Sequence, residues 1–202
     1  MKQPFNLCIF PFLTLLAFMF ILITNYAVVT SPQGAASIYL KSALSGNIGY
    51  GNPQKAHNSI SFAGLEPGDI ILGAYPDCAY GYYSHAALYI GAGEIIEGYA
   101  DLGITVRSIE HFREYPKICL LRVEADQAVK LAAVDYARLQ VNELFYPVAF
   151  KSGERAWNCS KIMWKAYQRQ GLDFDNTRDL WVPPDVFYNS PHVTVIREWG
   201  QL

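Results

Sequence analysis

The chain has 202 residues, enough for one domain with a buried core and short for two. Hydrophobic residues make up 51 % of it and charged residues 17 %, a balance that excludes intrinsic disorder. Sixteen Lys/Arg against eighteen Asp/Glu give a net charge of −2, so no basic surplus exists to neutralise phosphates, which argues against a nucleic-acid partner. The four cysteines form neither a disulfide scaffold nor a CxxC pair, and no Cys/His cluster has zinc-site spacing.

The apolar residues are unevenly spread. No charge occurs between Lys2 and Lys41, and Leu7 to Ile23 is apolar apart from Pro11 and Thr14. Residues 1–30 read as a membrane-directed segment, either a cleaved signal peptide or a signal anchor that tethers the protein through residues 7–29. The run is near the lower length for a span, and Asn25-Tyr26-Ala27 is a poor cleavage site. Gly34-Ala35-Ala36 is a better one but lies late, so both forms stay open. With its positive charge at the start, the segment predicts export of the rest to the periplasm or the extracellular space. The exported part then carries a net charge of −3, since the segment removes one Lys and no acid.

Residues 31–64 are rich in Ser, Ala, Gly and Asn and read as a linker with a short helix near Ala35–Leu44. Residues 65–202 read as one α+β domain. Pro67-Gly68-Asp69 launches Ile70-Ile71-Leu72 as a buried strand. His85 to Ile90 and Glu94 to Tyr99 form a hairpin around Gly91-Ala92-Gly93. Ile104 to Arg107 is a fourth strand, Ser108 to Phe112 starts a helical turn, and Ile118 to Val123 is a fifth strand. Ala125 to Leu139 is a helix whose packed face is expected at Ala128, Leu131, Ala132 and Ala137. Asn158 to Gln170 is a second helix, ended by Gly171. A turn at Pro183-Pro184-Asp185 and a strand over Val193 to Ile196 close the chain.

Asn158 is a good N-cap, which makes Cys159 the first helical residue, on the face shared with Ile162, Met163 and Ala166. The positive end of the helix dipole favours a thiolate there, the form in which cysteine is a nucleophile. The bland alternative is a small buried hydrophobe. A nucleophile needs a base. Of the four histidines, His57 lies in the linker, His111 beside Glu110 and Arg113 reads as solvated, and His192 as ordinary surface. His85 opens a strand among small residues that leave room for another side chain. The base needs an orienting carboxylate. With a three-residue turn, Ala87 pairs with Glu97, which places Glu97 on the His85 face and within diagonal reach. A two-residue turn would put it on the wrong face. Glu94, at the turn end, is too far from His85.

Pro67-Gly68-Asp69, Ser84-His85-Ala86-Ala87-Leu88-Tyr89-Ile90-Gly91, Ile95-Ile96-Glu97 and Asn158-Cys159-Ser160 occur in an order that resembles the permuted papain-like amidases of the YiiX/YaeF type. These are relatives of NlpC-type cell-wall peptidases and of lecithin–retinol acyltransferase-like enzymes. The resemblance implies a permuted papain-like (NlpC-like) fold, an antiparallel sheet packed against the nucleophile helix, here preceded by an apolar N-terminal helix. It implies Cys159 as nucleophile, His85 as base and Glu97 as orienter; no cofactor and no metal are expected. It also points to Tyr146 as an oxyanion or substrate-binding residue. Pro147 stands where the family has Asp and Lys161 where it often has Glu, which bears on substrate preference.

The expected function is an exported cysteine hydrolase, acting as a monomer, that cleaves an amide or peptide bond, such as one in cell-wall peptides, through a thioester. Two alternatives remain open: a lipid acyltransferase or thioesterase, and a catalytically silent binding module on the same fold. The tyrosine-rich loop Ala74 to Tyr83 is expected to wall the cleft, and Cys78 and Cys119 are candidates for a disulfide in an oxidising compartment.

Overall fold

The computed structural model describes residues 5–32, 34–53, 56–175 and 177–201. Six strands form one antiparallel sheet: β1 (Ile70–Ala74), β2 (His85–Gly91), β3 (Glu94–Tyr99), β4 (Gly103–Ser108), β5 (Lys117–Val123) and β6 (Val193–Trp199). Their spatial order is β4-β3-β2-β1-β5-β6. Helices α1 (Phe5–Thr24), α2 (Tyr26–Val29) and α3 (Ala35–Leu44) precede the sheet. Helices α4 (Gln127–Arg138), α5 (Cys159–Gln168) and α6 (Asp185–Tyr188) follow β5.

The sheet is covered on both faces, which is why every residue of β1 is buried. Ile70, Leu72, Ala86, Leu88, Ile96, Cys119 and Leu121 face α4 and α5, where they meet Ala133, Ala137, Ile162, Met163 and Ala166. Ile71, Ala87, Ile95, Ile118 and Leu120 face the other way. They pack on Ile109 and Phe112 of a 3-10 turn (Ile109–Glu114) and on Tyr115.

The start of β1 is fixed by a buried carboxylate. Asp69 Oδ2 accepts the Glu66 N–H at 2.8 Å and Arg122 Nε–H at 3.1 Å, and Oδ1 accepts from Lys130 Nζ at 3.3 Å. This ion cluster turns α4 away from the expected orientation. Its buried face is Lys130, Ala133, Val134 and Ala137, whereas Ala128 and Leu131 are exposed and Ala132 is half-buried. A lysine on a core face is stable here because Asp69 and Glu66 neutralise it.

The N-terminal region agrees with the expected short helix, since α3 spans Ala35–Leu44. Along α1 the apolar side chains Ile9, Phe10, Phe12, Leu13, Leu15, Leu16, Phe18, Phe20 and Ile23 are exposed. Among the described residues no helix is long and apolar enough to cross a membrane.

Candidate active site

The site is assembled at the start of α5. Asn158 is extended and caps the helix, its Oδ1 accepting the Lys161 N–H at 2.7 Å and the Ser160 hydroxyl at 3.1 Å. Its Nδ2 donates to Pro147 O at 3.3 Å, tying the cap to the preceding loop. Cys159 is the first helical residue and is buried. Its closeness to β3 depends on Gly98. A Cβ there would lie 2.8 Å from Ile104 Cδ1, 3.0 Å from the Phe145 ring and 3.4 Å from Cys159 N. Lys161, fully buried, anchors the segment before the cysteine by donating to Ala156 O at 2.8 Å, and burial lowers its pKa.

His85 opens β2. Its Nε2 lies 2.9 Å from Glu97 Oε2, which leaves Nδ1 as the free ring nitrogen. The β2–β3 register explains the contact. Leu88 pairs with Ile96 and Tyr89 with Ile95, and one step further sets Ala87 beside Glu97. The turn itself differs from expectation. Gly91 pairs with Glu94, so the loop is the two residues Ala92-Gly93, both with positive φ (53° and 76°). A bulge between Tyr89 and Gly91 absorbs the extra residue and restores the face that a three-residue loop would have given.

The imidazole sits in an aromatic box. Its ring centroid is 4.7 Å from that of Tyr99, 5.7 Å from Phe112 and 6.0 Å from Tyr115, the last stacked and nearly parallel at 2°. Tyr99 Oη is 2.8 Å from both His111 Nε2 and Tyr115 Oη. His111 is therefore not solvated: its partners are Tyr99 and, at 3.6 Å, the Glu114 carboxylate, and burial lowers its pKa. Glu97 is fully buried, and its Oε1 lies 3.4 Å from Arg107 Nη1 without forming a hydrogen bond.

Burial pulls the His85 pKa down. The Cys159 charge, the hydrogen bond to Cys159 and Glu97 outweigh it, and the net result is a rise from 6.5 to about 9. Cys159 also acts on Tyr80, whose pKa is pushed well up by burial first and by the Cys159 charge second. Tyr80 donates to Ser84 O at 2.6 Å and meets the Trp181 ring edge-on at 5.3 Å. Burial raises the Cys78 and Cys119 thiols to about 11 and about 12, and both are free rather than paired. Tyr146 is 44 % exposed. Its N–H donates to Trp157 O at 2.7 Å, which holds its backbone beside the residues leading into α5. Its hydroxyl makes no hydrogen bond among the described residues.

Cys159, His85 and Glu97 thus meet, joined by Tyr80 of the expected cleft-wall loop and by Tyr99, Gly98, Arg107 and His111, which the sequence motifs do not single out for the site. A glycine inside the strand Glu94–Tyr99 is a legible sign of close backbone approach.

Residues 64–191 match a family described as permuted papain-like amidase enzyme, YaeF/YiiX, C92 family. The chain belongs to that family. As a C92 member it is a cysteine hydrolase-like enzyme, and its fold has the histidine strand before the cysteine helix. The crystal structure of metalloprotein YiiX from Escherichia coli O157:H7 has a similar fold, with a TM-score of 0.55 at 15 % identity over 67 % of this chain and 98 % of that one. No curated protein matches the chain. Among the described residues of this C92 member, no group of three or more His, Cys, Asp or Glu could hold a metal ion.

Proposed function

We propose that the chain is an exported cysteine hydrolase that cleaves an amide or peptide bond, with Cys159 as nucleophile, His85 as base and Glu97 as orienter. The observation that carries this reading is the succession Glu97–His85–Cys159 on a single buried imidazole. Glu97 holds Nε2, which leaves Nδ1 to take the thiol proton, and the Cys159 charge together with Glu97 favours the imidazolium form of His85.

In the proposed reaction His85 takes the Cys159 proton and the sulfur attacks the carbonyl carbon. The oxyanion is held by the Cys159 N–H, unpaired by the helix at its first position, and by the Tyr146 hydroxyl. The C–N bond breaks as the imidazolium protonates the departing amine. Water, deprotonated by His85, then attacks the thioester, releases the acid and regenerates the thiol. Residues 1–30 direct the export that places cell-wall peptides within reach. The exposed side chains of Leu144, Val148 and Phe150 favour a second reading, acyl transfer from a lipid to an amine or hydroxyl.

Assays of the full chain with peptide p-nitroanilides and acyl p-nitrophenyl esters test the proposal. Cys159→Ser and His85→Ala are each expected to lower turnover by on the order of 10³-fold or more. Turnover retained in either variant overturns the assignment. Intact thiol reactivity with no turnover on any acyl compound marks a binding module.

A further inference from the structure

We infer that Leu144, Val148, Phe150 and Leu180 form a rim that rests on a lipid bilayer, so that the cysteine site opens at a membrane face. This rests on reading residues 7–29 as embedded in that membrane.

Outside the N-terminal helices, these four large apolar side chains are exposed close together in the fold, at 64, 64, 50 and 50 %. Three of them lie on Leu144-Phe145-Tyr146-Pro147-Val148-Ala149-Phe150, which holds no charged residue. Leu180 joins them because its carbonyl accepts the Lys151 N–H at 2.7 Å. Soluble surfaces rarely gather such side chains without a partner.

Contacts link this rim to both the apolar helix and the nucleophile. The Ala35 N–H donates to Asp179 Oδ2 at 2.6 Å, and Asp179 adjoins Leu180. Gly34 in turn packs against α2, since a Cβ there would lie 3.1 Å from Val28 O. The segment that follows the apolar N-terminal helix, α2 and the start of α3, is therefore tied to the edge of the rim. On the other side, the Phe145 ring lies against Gly98 beside Cys159 N, and Pro147 O accepts from the Asn158 cap. A bilayer that takes α1, whose apolar side chains are exposed from Ile9 to Ile23, meets the rim at its surface. A protein partner would be expected to leave polar groups among the apolar ones, and this stretch has only the Tyr146 hydroxyl.

The test uses the full chain with Cys8→Ala and Cys159→Ser, reconstituted with phosphatidylcholine vesicles. An environment-sensitive fluorophore is placed at Val148→Cys or, as control, at Thr194→Cys on β6. The expected result is flotation with the vesicles. Emission at 148 shifts to the blue and is quenched by spin-labelled lipid, while the label at 194 stays in water. Flotation with both labels in water overturns the rim and leaves the embedded helix standing. Failure to float overturns the embedded helix and the rim with it. A blue shift at 148 without vesicles, accompanied by a dimer in light scattering, overturns the bilayer in favour of a second copy of the chain.

Discussion

Asp69, just before β1, and Glu97, on β3, are both fully buried carboxylates, and their surroundings differ in kind. Asp69 is saturated: a backbone N–H, Arg122 and Lys130 fill both oxygens, and Glu66 shares the same two cations at 2.9 and 3.4 Å. Two acids and two bases cancel, and among the described residues no histidine or cysteine hydrogen-bonds to any of them. Glu97 has one short hydrogen bond, to a titratable ring, while its other oxygen has only the looser Arg107 contact. A carboxylate that braces a fold spends its capacity on fixed cations. One that serves a reaction is left facing a group whose charge changes.

The sharpest break of this contrast is Glu97→Gln. The amide keeps the shape and one hydrogen bond but loses the charge that favours imidazolium. Turnover is expected to fall by on the order of 10⁴-fold, with the unfolding midpoint little changed. Asp69→Asn should do the reverse. It leaves Lys130 and Arg122 short of a counter-charge in the interior and is expected to cost about 3–5 kcal/mol in urea unfolding, while Cys159 in the folded protein alkylates as before.

A smaller effect follows from pH. The folded His85 value of about 9 lies above the ordinary 6.5, so protonation of this ring favours the folded state. That stabilisation is fully present below pH 6.5 and is lost as pH rises through about 9. The unfolding midpoint should decline over this window. The decline should be absent in His85→Ala and reduced in Cys159→Ala, because Cys159 is the larger source of the upward shift. An unchanged slope in His85→Ala would refute His85 as its origin.

Local rules make most of the fold legible. Alternating and continuous apolar runs place all six strands, and the Asn158 cap places α5 to within a residue or two of its observed start and end. The Glu97 face is legible from pairing arithmetic, but the turn is not. A bulge and a two-residue loop yield the same register as a longer loop, and the sequence pattern does not separate them. The face of α4 departs from its periodicity because Lys130 is neutralised by residues more than sixty positions away. His111 departs from the expected solvated state for a similar reason, since its partner Tyr99 lies on β3. Arg107 reaches Glu97 only through the β3–β4 pairing of Ile95 with Arg107 and Glu97 with Thr105, a diagonal contact that single-strand patterns do not display. Charges and hydrogen bonds made across the fold are hidden from the sequence, while periodicity and caps are not.

In the proposed mechanism His85 draws the proton from Cys159 and so activates its sulfur. The most direct test is the rate of Cys159 alkylation by iodoacetamide across pH, in the wild type and in His85→Ala, with Cys78 and Cys119 followed in the same digests. Rapid modification of Cys159 below pH 7 is predicted, lost in His85→Ala, while Cys78 and Cys119 stay slow because burial raises their thiols to about 11 and about 12. Cys159 rates that climb only above pH 8, and equally in both proteins, would contradict it.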